Sequence, residues 1–136
     1  MSWFEDNLDK IKIGLEGEEI IREHFKKQNV PFMQVDIMFK SKNQWYCGEI
    51  KSQEIYLSPP FDGHGLPQWQ IDRRMEFYKD TGVVPVFIVY DLKEKCVFMQ
   101  KLNFLNTLTS KNDVLRTKGA KPRTIFNIKH FERIEI

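Results

Sequence analysis

The stretch Val35 to Lys51, VDIMFKSKNQWYCGEIK, decides how the rest of the chain is read. Two apolar, β-favouring runs, Val35 to Phe39 and Trp45 to Ile50, flank the polar segment Ser41-Lys42-Asn43-Gln44, which predicts a β-hairpin. A turn centred between Lys42 and Asn43 sets a register that places Asp36 opposite Glu49, with Cβ atoms roughly 5 Å apart. Side chains alternate along a strand, so Asp36, Met38, Trp45, Cys47, Glu49 and Lys51 share one face. Val35, Ile37, Phe39, Tyr46, Gly48 and Ile50 share the other, which reads as the core face. Two facing carboxylates repel unless a cation sits between them, and a bound divalent ion is the strongest such partner. Oxygen ligands at this spacing suit Mg2+ or Mn2+. The plain alternative is an exposed strand whose Asp, Glu and Lys are merely solvated.

Composition narrows the choices. With 136 residues, 41% of them hydrophobic and 13% aromatic, residues 1–136 read as one globular domain rather than a disordered chain. A net charge of +2 does not by itself declare nucleic-acid binding, so such a claim must come from local charge. Cys47 and Cys96 lack metal-ligand spacing and fall in strand-like segments, which predicts reduced, packed thiols and a cytoplasmic setting. The opening MSWFEDNLDK has acids and no apolar core, and the longest apolar run, Val83 to Tyr90, is too short for a membrane span. Neither secretion nor membrane insertion is expected.

Along the chain, Gly14 to Gln28 predicts a helix with Leu15, Glu18, Ile21 and Phe25 on one stripe. That puts Glu18 on the inward face, where a carboxylate is costly unless paired or metal-bound; the alternative is a simple pair with Arg22. Gly17 beside it would allow close packing. Ser52 to Gly65, with Pro59-Pro60 and two glycines, reads as a loop, and His64 within it as a surface or phosphate-contacting residue more readily than a catalytic one. Pro67 to Thr81 predicts a helix ended by Gly82, with Ile71, Met75 and Tyr78 inward, Arg73 and Arg74 on the exposed flank and Gln70 in the first turn. Val83 to Tyr90 reads as a buried strand and Cys96 to Met99 as its hairpin partner. A short helix from Asn103 to Leu108 would be capped by Asn103. Lys111 to Arg123 collects Lys111, Arg116, Lys118, Lys121 and Arg123, either a solvated loop or a phosphate-binding one. Thr124 to Ile128 and the tail FERIEI could add an edge strand. The order predicts an α/β fold with a central mixed β-sheet flanked by helices.

Glu18 on a helix, Asp36 and Glu49-Ile50-Lys51 on a hairpin, and Gln70 opening a helix together resemble the PD-(D/E)XK nuclease superfamily, and within it the Holliday junction resolvases. WQIDRRMEFYKDTGVVPVFIV is similar to the RecU type around Gln70-Ile71, and Gly14-x-x-x-Glu18 is similar to the archaeal resolvases. Trp69 stands where the RecU type has histidine, and Val35 stands where the superfamily has its proline. The resemblance implies a restriction-endonuclease-like core and a Mg2+- or Mn2+-dependent endonuclease. In it Asp36, Glu49 and the Ile50 carbonyl hold the metal and Glu18 holds a second ion or a metal-bound water. Lys51 orients the attacking water, and Gln70 positions water or the lysine. Arg73, Arg74, Lys111, Arg116, Lys118, Lys121 and Arg123 would contact DNA phosphates, the substrate would be a four-way junction and the assembly a homodimer. A general or single-strand nuclease, a DNA-binding derivative that no longer cleaves, and a plain interaction domain are the competing expectations.

Overall fold

The hairpin forms at the expected register. In the computed structural model, which describes residues 8–58 and 61–136, strands β1 (Ile37–Ser41) and β2 (Gln44–Gln53) pair antiparallel with Ile37 across from Gly48 and Ser41 across from Gln44. Lys42 and Asn43 form the turn with φ of 49° and 65°, the two positive values that a type I′ hairpin requires. Trp3, Phe4 and the Pro59-Pro60 pair lie outside the described residues.

Two compact units divide the chain, one up to Gln34 and one from Val35. The first contains helix α1 (Leu8–Lys27). It ends in a Schellman motif: Asn29 takes φ 56°, its N–H donates to the Lys26 carbonyl at 3.2 Å, and the Val30 N–H donates to the Phe25 carbonyl at 2.9 Å. Phe25 then packs on Phe32 with ring centroids 6.0 Å apart.

The second unit holds two sheets. After β2 come β3 (Tyr56–Ser58), β4 (Phe61–Pro67), helix α2 (Gln68–Thr81), β5 (Val84–Asp91), β6 (Cys96–Lys101) and the single-turn helix α3 (Leu102–Leu105). β7 (Val114–Arg116), β8 (Arg123–Asn127), a 3-10 turn (Ile128–His130) and β9 (Glu132–Ile134) complete it. Five strands form a mixed sheet in the order β1-β2-β5-β6-β9, in which only β2 and β5 run parallel because the return through α2 joins them. The other sheet, β3-β4-β8-β7, is antiparallel throughout. Phe87, Val89 and Phe98 from the mixed sheet share one core with Leu66 and Phe126 from the other, closed by Ile71 of α2 and Leu102 and Leu105 of α3. Each such side chain stabilises the fold by about 1.5–3 kcal/mol through removal from water. The α/β fold with a central mixed sheet and helices packed on it is therefore present.

Two local expectations change. Ser52 to Gly65 is not a loop: β2 runs on to Gln53, and β3 and β4 follow. The glycines that read as loop markers let two backbones meet, since a Cβ on Gly63 would lie 2.2 Å from the Phe126 carbonyl oxygen and one on Gly65 2.7 Å from that of Thr124. Asn103 caps nothing, because α3 starts one residue earlier with Lys101 as its N-cap. Gly82, by contrast, ends α2 as expected, with φ 76° and its N–H donating to the Tyr78 carbonyl.

Candidate active site

β2 continues its pleat past the hairpin, so Glu49, Lys51 and Gln53 alternate onto one face. That face is buried at Cys47 and Glu49 and open at its hairpin end, where Met38 and Trp45 are 47% and 49% exposed. Cys47 and Glu49 are 0% and 6% exposed, whereas Ile37 and Ile50 on the expected core face are 44% and 43% exposed. The expected core face fails at Ile37 and Ile50, and Glu49 is tolerated in the interior because its cation comes from a distant helix. Arg74 of α2, 3% exposed, donates from Nη2 to Glu49 Oε2, while Lys51 Nζ stands 3.3 Å from Oε1. Arg74 is thus not the exposed phosphate contact that its neighbours suggested.

Asp36 lies one step beyond the ladder. Its Oδ2 accepts the Ile50 N–H at 2.8 Å, in the position that the next ladder bond would have filled. The N–H and C=O of one strand residue point to the same side, so the Ile50 carbonyl turns to the edge where Asp36 sits. Gln70 falls one helical turn before Arg74 on the same face of α2. Its Oε1 is buried and has no hydrogen-bond partner among the described residues.

Among the described residues, no group of three or more His, Cys, Asp or Glu side chains comes together as a metal cluster. The donors offered are two carboxylates and a carbonyl, Asp36, Glu49 and Ile50. Their chemistry fits a hard divalent cation, which typically takes one or two carboxylates and fills its remaining positions with water and phosphate oxygens. Glu49 joins that set only by giving up a cation it already holds.

Glu18 belongs to the N-terminal unit and its side chain is 57% exposed. It stands 3.6 Å from Arg22 and accepts from Gln34 Nε2 at 3.4 Å, the simple pairing that the sequence left open. Ile21, expected on the same inward stripe, is 55% exposed, and nothing lies within 4 Å of a Cβ placed on Gly17.

The remaining cations spread over the second unit. Arg73 pairs with Glu76 at 3.4 Å along its own helix. Lys111, Arg116, Lys118 and Lys121 are exposed, the last two on the tip of the β7–β8 hairpin. Thr117 and Arg123 close that tip through backbone and hydroxyl hydrogen bonds, and the Gln68 N–H donates to the Pro122 carbonyl at 2.9 Å. The basic tip is thereby fastened to the first turn of α2, beside the exposed Trp69 and the half-buried Gln70. Arg123 itself is half-buried, its guanidinium 6.0 Å from the Tyr56 ring centroid.

His64 corrects the surface expectation most sharply, being 0% exposed. Its Nε2 is 2.9 Å from Asp91 Oδ2 and its Nδ1 3.0 Å from Gln53 Oε1. Gln53 also accepts the Gly65 N–H at 3.1 Å and donates to the Gly65 carbonyl at 3.3 Å, which fixes the orientation of its amide. Two acceptors facing the ring favour an imidazolium, but complete burial outweighs Asp91 and holds the His64 pKa below its ordinary value. Burial alone would raise the Asp91 carboxyl. The Glu94 and Lys93 amides and the His64 ring outweigh that, and its pKa ends below the ordinary value. The sequence concealed this network. Arg74 was easier to find: Gln70 and Arg74 at i and i+4 must share a helix face.

Neither a family model nor a curated protein matches the sequence. One solved structure, that of D212, a nuclease from a fusselovirus, is similar at 11% identity over 93% of this chain and 86% of that chain, with a TM-score of 0.46. No helix among the described residues is long and apolar enough to cross a membrane.

Proposed function

We propose that this chain is a nuclease that hydrolyses DNA phosphodiesters with Mg2+ or Mn2+ held by Asp36, Glu49 and the Ile50 carbonyl. The observation that carries the proposal is the Asp36–Ile50 hydrogen bond of 2.8 Å, which draws the carboxylate of one hairpin arm onto the Glu49-Ile50-Lys51 segment of the other. When bound, the cation would polarise the phosphoryl oxygen and lower the pKa of its water. Lys51, half-buried beside Glu49, orients the attacking water and offers its charge to the phosphorus as negative charge builds. Gln70, in the first turn of α2, positions water through its side-chain amide N–H. Arg116, Lys118 and Lys121 would grip phosphates without reading bases. The proposal does not require Glu18, whose carboxylate is already engaged by Arg22 and Gln34.

A four-way junction cut by a symmetric dimer is the narrower substrate, supported by the resemblance around Gln70. The test is incubation with Mg2+ or Mn2+ and a junction, a linear duplex or a single strand, beside Glu49→Gln and Lys51→Ala. Paired nicks confined to the junction support a resolvase, and cutting of duplex or single strand supports a general nuclease. Binding without cutting in all arms would overturn the enzyme. Removing Lys118 and Lys121 is expected to weaken binding to every sequence alike and to reduce the salt slope by about one per lost contact.

A further inference from the structure

An arginine 3% exposed in the middle of a helix is unusual, since such positions generally hold an apolar side chain. Arg74 is tolerated there because its guanidinium meets Glu49 Oε2, and Lys51 meets the other oxygen of the same carboxylate. With a cation already on each oxygen, Glu49 takes a divalent ion only against the repulsion of those two charges, which favours displacing one of them. The guanidinium and the metal meet one electrostatic requirement, neutralising a buried carboxylate, so they compete for Oε2.

The displaced guanidinium has somewhere to go. Gln70 lies one turn earlier on the same helix face, and its buried Oε1 lacks a partner among the described residues. Positions i and i+4 of a helix are neighbours with Cβ atoms about 5–6 Å apart, a span within the length of an arginine side chain. On Glu49, Arg74 answers the buried charge and leaves Gln70 Oε1 without a partner; toward Gln70 it answers that acceptor while the metal answers the charge.

We propose that Arg74 is a positioning residue that occupies Glu49 Oε2 when no cation is bound and swings toward Gln70 when the divalent metal takes its place, so that this exchange sets the metal affinity. The inference rests on the metal site proposed above. Its test is metal binding by calorimetry and melting on the full chain, using Mn2+ alone. Arg74→Met is expected to melt lower without metal, to bind Mn2+ at least about tenfold more tightly than the native chain, and to gain more in melting temperature on saturation. Gln70→Leu is expected to weaken Mn2+ binding in the native background and to have no effect in the Arg74→Met background, the coupling that a double-mutant cycle isolates.

A merely structural ion pair predicts lower melting with unchanged Mn2+ affinity. Equal affinities in a native chain that still cleaves would overturn the exchange alone, and no Mn2+ binding by either protein would overturn the metal site with it. A measurement on the native chain covers a variant that fails to fold. The Arg74 Nε–H resonance is expected to shift on adding Mg2+, and to stay in place when Mg2+ is added to Glu49→Gln. A native resonance unmoved at saturating Mg2+ would overturn the exchange.

Discussion

Two buried carboxylates in the second unit are held in opposite ways. Asp91, 0% exposed, receives the backbone N–H groups of Lys93 and Glu94 on one oxygen at 2.9 and 2.8 Å and the His64 ring on the other. Those donors belong to a turn and to a fully buried ring, and they cannot leave without unfolding what they are part of. Glu49 is held by the ends of two long side chains, Arg74 and Lys51, each able to rotate away while its backbone stays in place. Both acids are satisfied, but only one can change partners. A carboxylate bound by backbone amides locks a turn, whereas one bound by flexible cations can serve a ligand.

The sharpest way to break this contrast is to substitute each acid and ask which property fails. Glu49→Gln is expected to reduce cleavage about a thousandfold in a nicking assay, the scale of losing one group that stabilises developing charge. Asp91→Ala should leave the rate per folded molecule unchanged and lower unfolding free energy by about 3 kcal/mol in a urea titration, because two amides and an imidazole lose their acceptor. An Asp91 variant that is stable but inactive would erase the distinction.

Gly65→Ala presses on the Asp91 side alone. The new methyl would meet the Thr124 carbonyl oxygen at 2.7 Å and push β4 away from β8, disturbing the Gln53 and His64 contacts. The expected loss is about 1–3 kcal/mol in unfolding free energy with activity retained in the folded fraction. Full stability in this variant would show that β4 can shift without cost.

The smallest effect is a pH dependence. The His64 pKa is depressed in the folded chain, so above its ordinary value of about 6.5 both folded and unfolded states are neutral and the full contribution is present. As pH falls, the unfolded chain takes up the proton first, and stability declines through the window between about 6.5 and the lower folded value. Asp91, also depressed, adds a further loss below its ordinary carboxylate value of about 3.9. Urea midpoints measured from pH 8 down to pH 5 should show the decline in the native chain and lose it in His64→Gln. A flat profile in the native chain would sink the assignment.

What the sequence revealed and what it concealed follow from distance along the chain. The Lys42-Asn43 turn, the alternation along β2 and the stop at Gly82 depend on neighbours a few residues apart, and each appears where local rules put it. The burial of Glu49 depends on Arg74, 25 positions away, and so periodicity could not place that carboxylate in the interior. His64 lay between glycines that looked like turn residues, because the strand that crowds them, β8, arrives only after Arg123. The second sheet was invisible for the same reason: its strands are short and their partners remote. For the candidate site, residue types were legible in Asp36, Glu49, Lys51 and Gln70, while their charge balance was not.

The two free cysteines acquire a use from where they sit. Cys47 precedes Glu49 by two residues on the same face of β2, and Cys96 pairs directly with Asp91 across β5 and β6. Both are 0% exposed, and burial pushes both thiols up, although Arg74 pulls Cys47 part of the way back. Neither reacts with an alkylating reagent until its surroundings open, since the exposed thiolate is the nucleophile. Each acid therefore has its own built-in clock. The alkylation rates of Cys47 and Cys96, followed by peptide mass in one sample, time the breathing of the exchangeable carboxylate and of the locked one side by side.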